Sequence, residues 1–142
     1  MTKGLWTVEE VAKFLHVTPR TLHYYEEVGL VLPTARTEGG HRLYGEEATD
    51  RLEHIIHLKG NLSYSLKEIR EILDAEDALD RLKSSYNVAT DEEKVRILDQ
   101  SIELMNNLVS TINQKLSNLD TMQKHFTVRL DTMQKARATI SK

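Results

Sequence analysis

The sequence predicts a mainly α-helical protein with a small β-hairpin in its first half and one long helix in its second. Three observations in the 142 residues support this: a capped helical segment, a glycine-tipped hairpin directly after it, and a stretch from Thr90 onwards without Pro or Gly whose apolar residues recur at heptad spacing. They predict a compact domain over 1–73, a linker over 74–90 with a candidate short helix near 78–82, and a coiled-coil helix over 91–142.

The capped segment is predicted to be a helix that begins after Thr18 and ends at Gly29. Thr18 suits the N-cap, Pro19 suits the first helical position, where no N–H is needed, and Gly29 suits the helix end. At about 100° per residue, Leu22 and Tyr25 fall on one side, which packs, and a polar set falls on the other. The presented set is Arg20, His23, Tyr24 and Glu27. Its donors can reach phosphate oxygens or base edges from a DNA major groove, whereas the alternative is an ordinary solvated surface.

The predicted hairpin spans Leu30 to Tyr44, and Glu38-Gly39-Gly40 permits a tight turn at its tip. Arg36 and Arg42 lie on opposite arms and form a basic pair beside Tyr44, which suits contacts with a DNA backbone. A helix followed by such a hairpin is typical of a winged helix-turn-helix, with the hairpin as its wing. The alternative is a hairpin that only solubilises the surface.

The segment from Trp6 to Leu73 resembles the mercury-resistance-regulator (MerR) family of bacterial winged helix-turn-helix transcription regulators. The resemblance rests on the order and spacing of short motifs, namely Thr7-Val8-Glu9-Glu10-Val11-Ala12, Leu22-His23-Tyr24-Tyr25-Glu26, Gly29-Leu30 with Pro33, Gly40-His41-Arg42-Leu43-Tyr44 and Ser65-Leu66-Lys67-Glu68-Ile69-Arg70-Glu71-Ile72-Leu73. It implies that the helix and the wing contact double-stranded DNA. The candidate DNA-binding residues are Thr18, Arg20, Thr21, His23, Tyr24, Arg36, His41, Arg42 and Tyr44.

Three positions depart from the family pattern, and the charge balance is unusual for a DNA-binding domain. His23 stands where the family usually has Arg, His41 stands where an aromatic residue is frequent, and Ser63 replaces a glycine, the residue that most readily takes positive φ. Residues 1–73 carry nine basic and eleven acidic side chains, whereas a nucleic-acid module is usually basic. The prediction therefore requires a local basic patch within an acidic domain.

The long helix carries an apolar seam. With Val95 at heptad position a, twelve of the fourteen a and d positions from Val95 to Ile140 are apolar, and the exceptions are Gln123 and Arg137. Such a stripe needs a partner helix, most simply a second copy of the chain, and the resemblance implies an antiparallel pair. A helical hairpin that breaks near 117–118 is the alternative. The candidate dimerisation residues are Leu98, Ile102, Met105, Val109, Ile112, Leu116, Leu119 and Phe126.

Several functional classes find no support in the sequence. Without Cys there can be no disulfide, thiolate metal site or cysteine nucleophile. His54 and His57 stand three residues apart on a helix without an obvious third ligand, so no metal site is predicted. No catalytic motif, cofactor loop, apolar signal region or membrane span is recognisable, which predicts a soluble cytoplasmic protein that is not an enzyme.

The sequence therefore predicts a homodimeric transcription regulator that binds a pseudo-palindromic promoter site. The resemblance implies that the dimer bends and untwists the promoter spacer and that RNA polymerase is a further partner. An effector ligand is not identifiable. The alternative is a coiled-coil adaptor or chromosome-organising protein that carries a winged-helix module.

Overall fold

The computed structural model describes residues 4–141 and divides the chain into two compact units, 1–73 and 74–142. The elements in chain order are β1 (Trp6–Thr7), α1 (Val8–Leu15), α2 (Pro19–Glu27), β2 (Ala35–Arg36), β3 (Arg42–Tyr44), α3 (Glu46–Gly60), α4 (Leu66–Tyr86) and α5 (Asp91–Ser141). The predicted fold class, mainly α with a small β wing and a long final helix, is confirmed. The boundary between the two units falls inside α4.

The first unit is built around one hydrophobic core. Leu22 and Tyr25, the predicted packing side of α2, are both buried there. The other buried members are Val11, Ala12, Leu30, Val31, Tyr44, Ala48, Leu52, Ile55, Leu58, Tyr64, Ile69 and Leu73. Because these residues come from α1 to α4, from β3 and from the loops after α2 and α3, the core fixes the orientation of α2 relative to the rest of the unit.

Local capping explains where the first two helices begin and end. The Thr7 hydroxyl accepts a hydrogen bond from the Glu10 N–H at 3.2 Å, and Glu10 Oε1 accepts from the Thr7 N–H at 2.9 Å, which is a capping box. Thr18 caps α2 by accepting from the Thr21 N–H at 3.1 Å, as predicted. After α2, Gly29 takes φ +79°, a conformation that glycine adopts without strain.

The wing belongs to a three-stranded antiparallel sheet rather than to an isolated hairpin. The strand order is β1-β3-β2, with Trp6 opposite Tyr44 and Arg36 opposite Arg42. The predicted hairpin arm was too long, because only 35–36 and 42–44 are strands and Leu30 is buried in the core. The sequence did not reveal β1, since two residues are too few to show an alternating pattern.

The second unit contains the end of α4 and all of α5. The predicted linker over 74–90 was too long, because 78–82 is helical as part of α4, which continues to Tyr86, and not as a separate short helix. The long helix α5 has no break at 117–118. Its described side chains separate into a half-buried stripe and an exposed apolar stripe. The half-buried residues are Lys94, Ile97, Ser101, Leu104, Leu108, Thr111 and Lys115.

Candidate nucleic-acid interface

The outward face of α2 presents the predicted polar side chains. Arg20, His23 and Tyr24 are exposed, and His23 Nε2 lies 3.4 Å from Glu27 Oε2 on the same face. Within residues 4–141, Arg20 makes no recorded ion pair or hydrogen bond through its guanidinium. Arg20 is therefore a free cation on a helix whose opposite face is locked into the core.

The threonine hydroxyls in the first turn of α2 make structural hydrogen bonds that the sequence did not reveal. The hydroxyls of Thr18 and Thr21 lie 2.9 Å apart and hydrogen-bond to each other, in addition to the capping bond. Thr18 is exposed and Thr21 half-buried. These hydroxyls fix the entry of the helix, and each retains acceptor capacity on the exposed side.

The helix and the wing line one open groove. It is bordered by the α2 side chains Arg20 and His23 and by the wing residue His41, which were all predicted as DNA contacts. The other lining residues are Thr7, Val8, Glu9, Pro19, Thr37, Gly40 and Arg42. Arg36, Tyr24 and Tyr44 are not among the groove residues.

At the wing tip, the backbone is held by Thr37. Its N–H donates to the His41 carbonyl at 2.8 Å, and its hydroxyl accepts from the His41 N–H at 3.1 Å. Gly40, at φ +83°, completes the turn, and nothing lies within 4 Å of where its Cβ would be. Thus the exposed His41 imidazole projects from a well-defined turn.

The structure corrects the prediction for Tyr44. This residue is 0% exposed, and its hydroxyl has no hydrogen-bond partner among the described residues. Burial raises the pKa of the Tyr44 phenol above its ordinary value of 10.0, although nearby Arg42 and Arg36 act in the opposite direction. Tyr44 is therefore a core residue, and its side chain is not available to a duplex.

The two wing arginines share one carboxylate that sequence reasoning overlooked. Glu26, on α2, accepts from Arg36 Nη2 at 2.7 Å and from Arg42 Nε. The Glu26 side chain is 11% exposed, against 25% for Arg42 and 46% for Arg36. The only signal in the sequence was the position of Glu26 one turn after Leu22 on the inner side of α2, which is unusual for a charged residue without a partner.

Two further arginines hold the C-terminal end of α2. Arg51 Nε, from α3, donates to the Leu30 carbonyl at 2.6 Å, and Arg70 Nη2, from α4, donates to the Val28 carbonyl. Cations near the last carbonyls of a helix also complement its dipole. Four of the five arginines in the first unit therefore have recorded structural partners, which leaves Arg20 as the free one among the described residues.

Other site types have little support in the described chain. Within residues 4–141, no three or more His, Asp or Glu side chains gather in a group that could hold a metal ion. No helix in that range combines the length and apolar character needed to cross a bilayer.

Comparison with known proteins assigns the first unit to a protein family. Residues 6–76 match the model of the MerR helix-turn-helix family of regulatory proteins. The chain is 31% identical over 120 residues to the HTH-type transcriptional regulator YfmP of Bacillus subtilis (strain 168), which covers 84% of this chain and 86% of YfmP. The protein belongs to the MerR family. This MerR protein accordingly has a DNA-binding domain in its first unit and is a transcription regulator.

Two other relatives of this MerR-family protein match about half of the chain. The HTH-type regulator ZntR of Escherichia coli (strain K12) is 44% identical over 69 residues, covering 49% of this chain and 48% of ZntR. The nodulation protein NolA of Bradyrhizobium diazoefficiens is 45% identical over 74 residues, or 52% of this chain, which spans only 31% of NolA. YfmP and ZntR are named as transcriptional regulators, not as enzymes.

A solved structure shares the fold. HiNmlR, described as a MerR family regulator lacking the sensor domain and bound to promoter DNA, superposes with a TM-score of 0.50 over 80% of each chain. Its sequence identity to this MerR protein is 21%.

Proposed function

We propose that this MerR protein is a homodimer that binds a pseudo-palindromic promoter site and regulates transcription by bending and untwisting the promoter spacer. The observation that carries the proposal is the groove shared by Arg20 and His23 of α2 and His41 of the wing. A helix and a ribbon that present polar donors to one open groove fit a duplex, with the helix in the major groove and the wing beside the backbone.

Within this proposal the DNA contacts are divided among side chains by their exposure. Arg20, His23 and Tyr24 face the major groove, and Thr18, Thr21 and His41 are placed near the sugar-phosphate backbone. Arg36 and Arg42 supply positive charge from the wing while remaining tied to α2. Since the two arginines share one carboxylate, the cluster keeps a net positive charge, which answers the acidic total of the unit.

The exposed stripe of α5 supports a dimer. The predicted dimerisation residues are all between 47% and 59% exposed, although all are apolar. A contiguous apolar stripe of this length is costly in water and marks an interaction surface. Its heptad spacing fits another helix, and an identical copy supplies one with the same spacing.

The charges of α5 support an antiparallel pair. Residues 91–103 carry five acidic and two basic side chains, 104–114 carry none, and 115–137 carry five basic and two acidic side chains. A parallel pair would set like charge beside like charge at both ends. An antiparallel pair sets the acidic third of each helix beside the basic third of its partner.

Arg137, one of the two polar seam positions, selects one register of this antiparallel pair, whereas Gln123 faces the apolar Met105 of the partner subunit in that register. Arg137 lies opposite Asp91 of the partner subunit when Ile102 lies opposite the partner's Phe126. A shift of one heptad in one direction buries Arg137 against an apolar residue, and a shift in the other direction leaves Met133 beyond the partner helix. The proposed apolar layers join Val95 with Met133, Leu98 with Leu130, Ile102 with Phe126, Val109 with Leu119 and Ile112 with Leu116.

Engineered cysteines test this register, because the chain has none of its own. We expect Ile102→Cys with Phe126→Cys to form a covalent dimer on oxidation, since only facing positions come close enough for a disulfide. Ile102→Cys with Leu119→Cys, and Ile102→Cys with Met133→Cys, should stay uncrosslinked on a non-reducing gel. Crosslinking of Ile102→Cys alone would instead indicate a parallel pair.

Sequence preference separates the proposed regulator from a winged-helix adaptor. In gel-shift titrations with the upstream region of the protein's own gene, we expect complexes that survive an excess of unrelated duplex. Footprinting should then show two half-sites whose centres lie one helical turn, or a multiple of it, apart on the DNA. If unrelated duplex competes for the protein as well as the upstream duplex does, the result would favour the adaptor. Retention of RNA polymerase on the same fragment tests the proposed further partner.

A further inference from the structure

Glu26 lies at the junction between α2 and the wing, and its carboxylate accepts hydrogen bonds from both wing arginines. The cross-strand partners Arg36 and Arg42 stand directly opposite each other on β2 and β3, and both reach the same carboxylate. Like charges directly opposite on a ribbon are destabilising unless a counter-charge lies between them. Glu26 supplies that counter-charge from the neighbouring helix.

The contact also sets the wing tip. Besides its bond to Glu26, Arg36 Nη1 donates to the Gly40 carbonyl at 3.2 Å. One guanidinium therefore connects a carboxylate on α2 with the backbone of the turn that presents His41. A planar, bidentate group of this kind fixes direction as well as distance.

We infer that Glu26 is a positioning residue for DNA binding: it clamps the wing to α2 so that His41 and the wing backbone meet the duplex at a fixed distance from Arg20 and Tyr24. The inference rests on the proposed function, because it concerns how the same surface is held in place. Glu26 itself contacts no DNA, since its side chain is 11% exposed and its carboxylate faces the two arginines.

The neighbouring Glu27 provides a matched control, because substitution of Glu26 and of Glu27 is expected to change DNA affinity in opposite directions. Glu27 is the next residue on α2, but its side chain is 65% exposed. Its ion-pair partner among the described residues is His23. Glu26→Gln and Glu27→Gln each remove one negative charge from the unit. By electrostatics alone, both should bind DNA more tightly, because a carboxylate repels phosphate.

The clamp predicts opposite results for the two variants. We expect Glu27→Gln to bind the preferred duplex as tightly as the wild type or more tightly. Glu26→Gln should bind that duplex about tenfold more weakly, comparable to losing one base contact, while its affinity for unrelated duplex rises. For each variant, the readout is the affinity for the preferred duplex divided by the affinity for unrelated duplex, measured by fluorescence anisotropy at one salt concentration. If this ratio is the same for Glu26→Gln as for Glu27→Gln, the inference is wrong.

A second measurement needs neither DNA nor a stable variant. The Arg42 Nε proton should exchange with solvent more slowly than the Arg20 Nε proton in ¹⁵N NMR of the wild type, because Arg42 Nε donates to Glu26 whereas Arg20 Nε has no acceptor within residues 4–141. Equally fast exchange would overturn the clamp even if Glu26→Gln failed to fold. Slow exchange at Arg42 in a protein without duplex preference would instead show that the clamp exists and the proposed function fails.

Discussion

Replacing Ile112 and Leu119 together with Asp should convert the protein from a dimer to a monomer. Both side chains lie on the exposed apolar stripe of α5, at 48% and 55% exposure in the single chain. In the proposed pair each would place an unpaired carboxylate between two helices. Burying an uncompensated charge costs several kcal/mol, so a loss of about 4 kcal/mol would already weaken association about a thousandfold.

Light scattering measures this effect, and the opposite face of the same helix supplies the control. Gln114→Asp with Thr121→Asp introduces the same charges at the same spacing, each two residues later, on exposed positions away from the seam. We expect that variant to keep twice the mass of one chain. If the Ile112 and Leu119 variant also keeps twice that mass, the dimer does not use this seam. If both variants are monomeric, helix destabilisation rather than the seam is responsible.

Arg20→Ala should produce the largest loss of DNA binding from a single truncation on α2. Arg20 is exposed, lines the groove, and has no recorded partner within residues 4–141, so its removal costs no structural contact. We expect a loss of roughly 1–3 kcal/mol, or about five- to 150-fold in Kd, without a change in melting temperature.

The conservative variant Arg20→Lys shows what Arg20 contacts. Lys keeps a point charge and so preserves a phosphate contact and its salt dependence, but it lacks the planar fork that reads a base edge in two places. If Arg20→Ala weakens DNA binding and Arg20→Lys does not, Arg20 contacts a phosphate. If both variants weaken DNA binding, Arg20 recognises a base. Lys135→Ala on α5 removes the same charge and should leave binding unchanged; an equal loss there would attribute the Arg20 effect to net charge.

The elements with strong local signals were predictable from the sequence. The caps of α2 followed from Thr18, Pro19 and Gly29, because each residue type has a specific conformational role at a helix end. Ser63 takes φ +56°, which is the backbone conformation of the glycine that the family resemblance implies at this position. The helical character of α5 followed from its heptad spacing and its lack of Pro and Gly, whereas its continuity through 117–118 was left open by the sequence and is given by the structure.

What the sequence did not reveal depends on contacts between distant residues. Tyr44 has the same chemical groups as an exposed tyrosine, and only its place beside the core shows that it is buried. Arg36 and Arg42 carried the correct charge for DNA, but their shared carboxylate on α2 is ten and sixteen residues away. Spacing along one helix or strand does not report such pairs.

Substitutions on the two faces of α2 are also expected to differ in their effect on the stability of the protein. Leu22, Tyr25 and Glu26 hold the helix in place, whereas Arg20 supports none of those contacts and the exposed Tyr24 ring only lies 6.1 Å from the Tyr25 ring. Surface substitutions away from structural contacts usually change stability by less than about 0.5 kcal/mol. If the exposed face of α2 reads the duplex as proposed, its target sequence can be changed through a few exposed positions while the scaffold stays intact, which makes α2 a convenient place to retarget the protein by design.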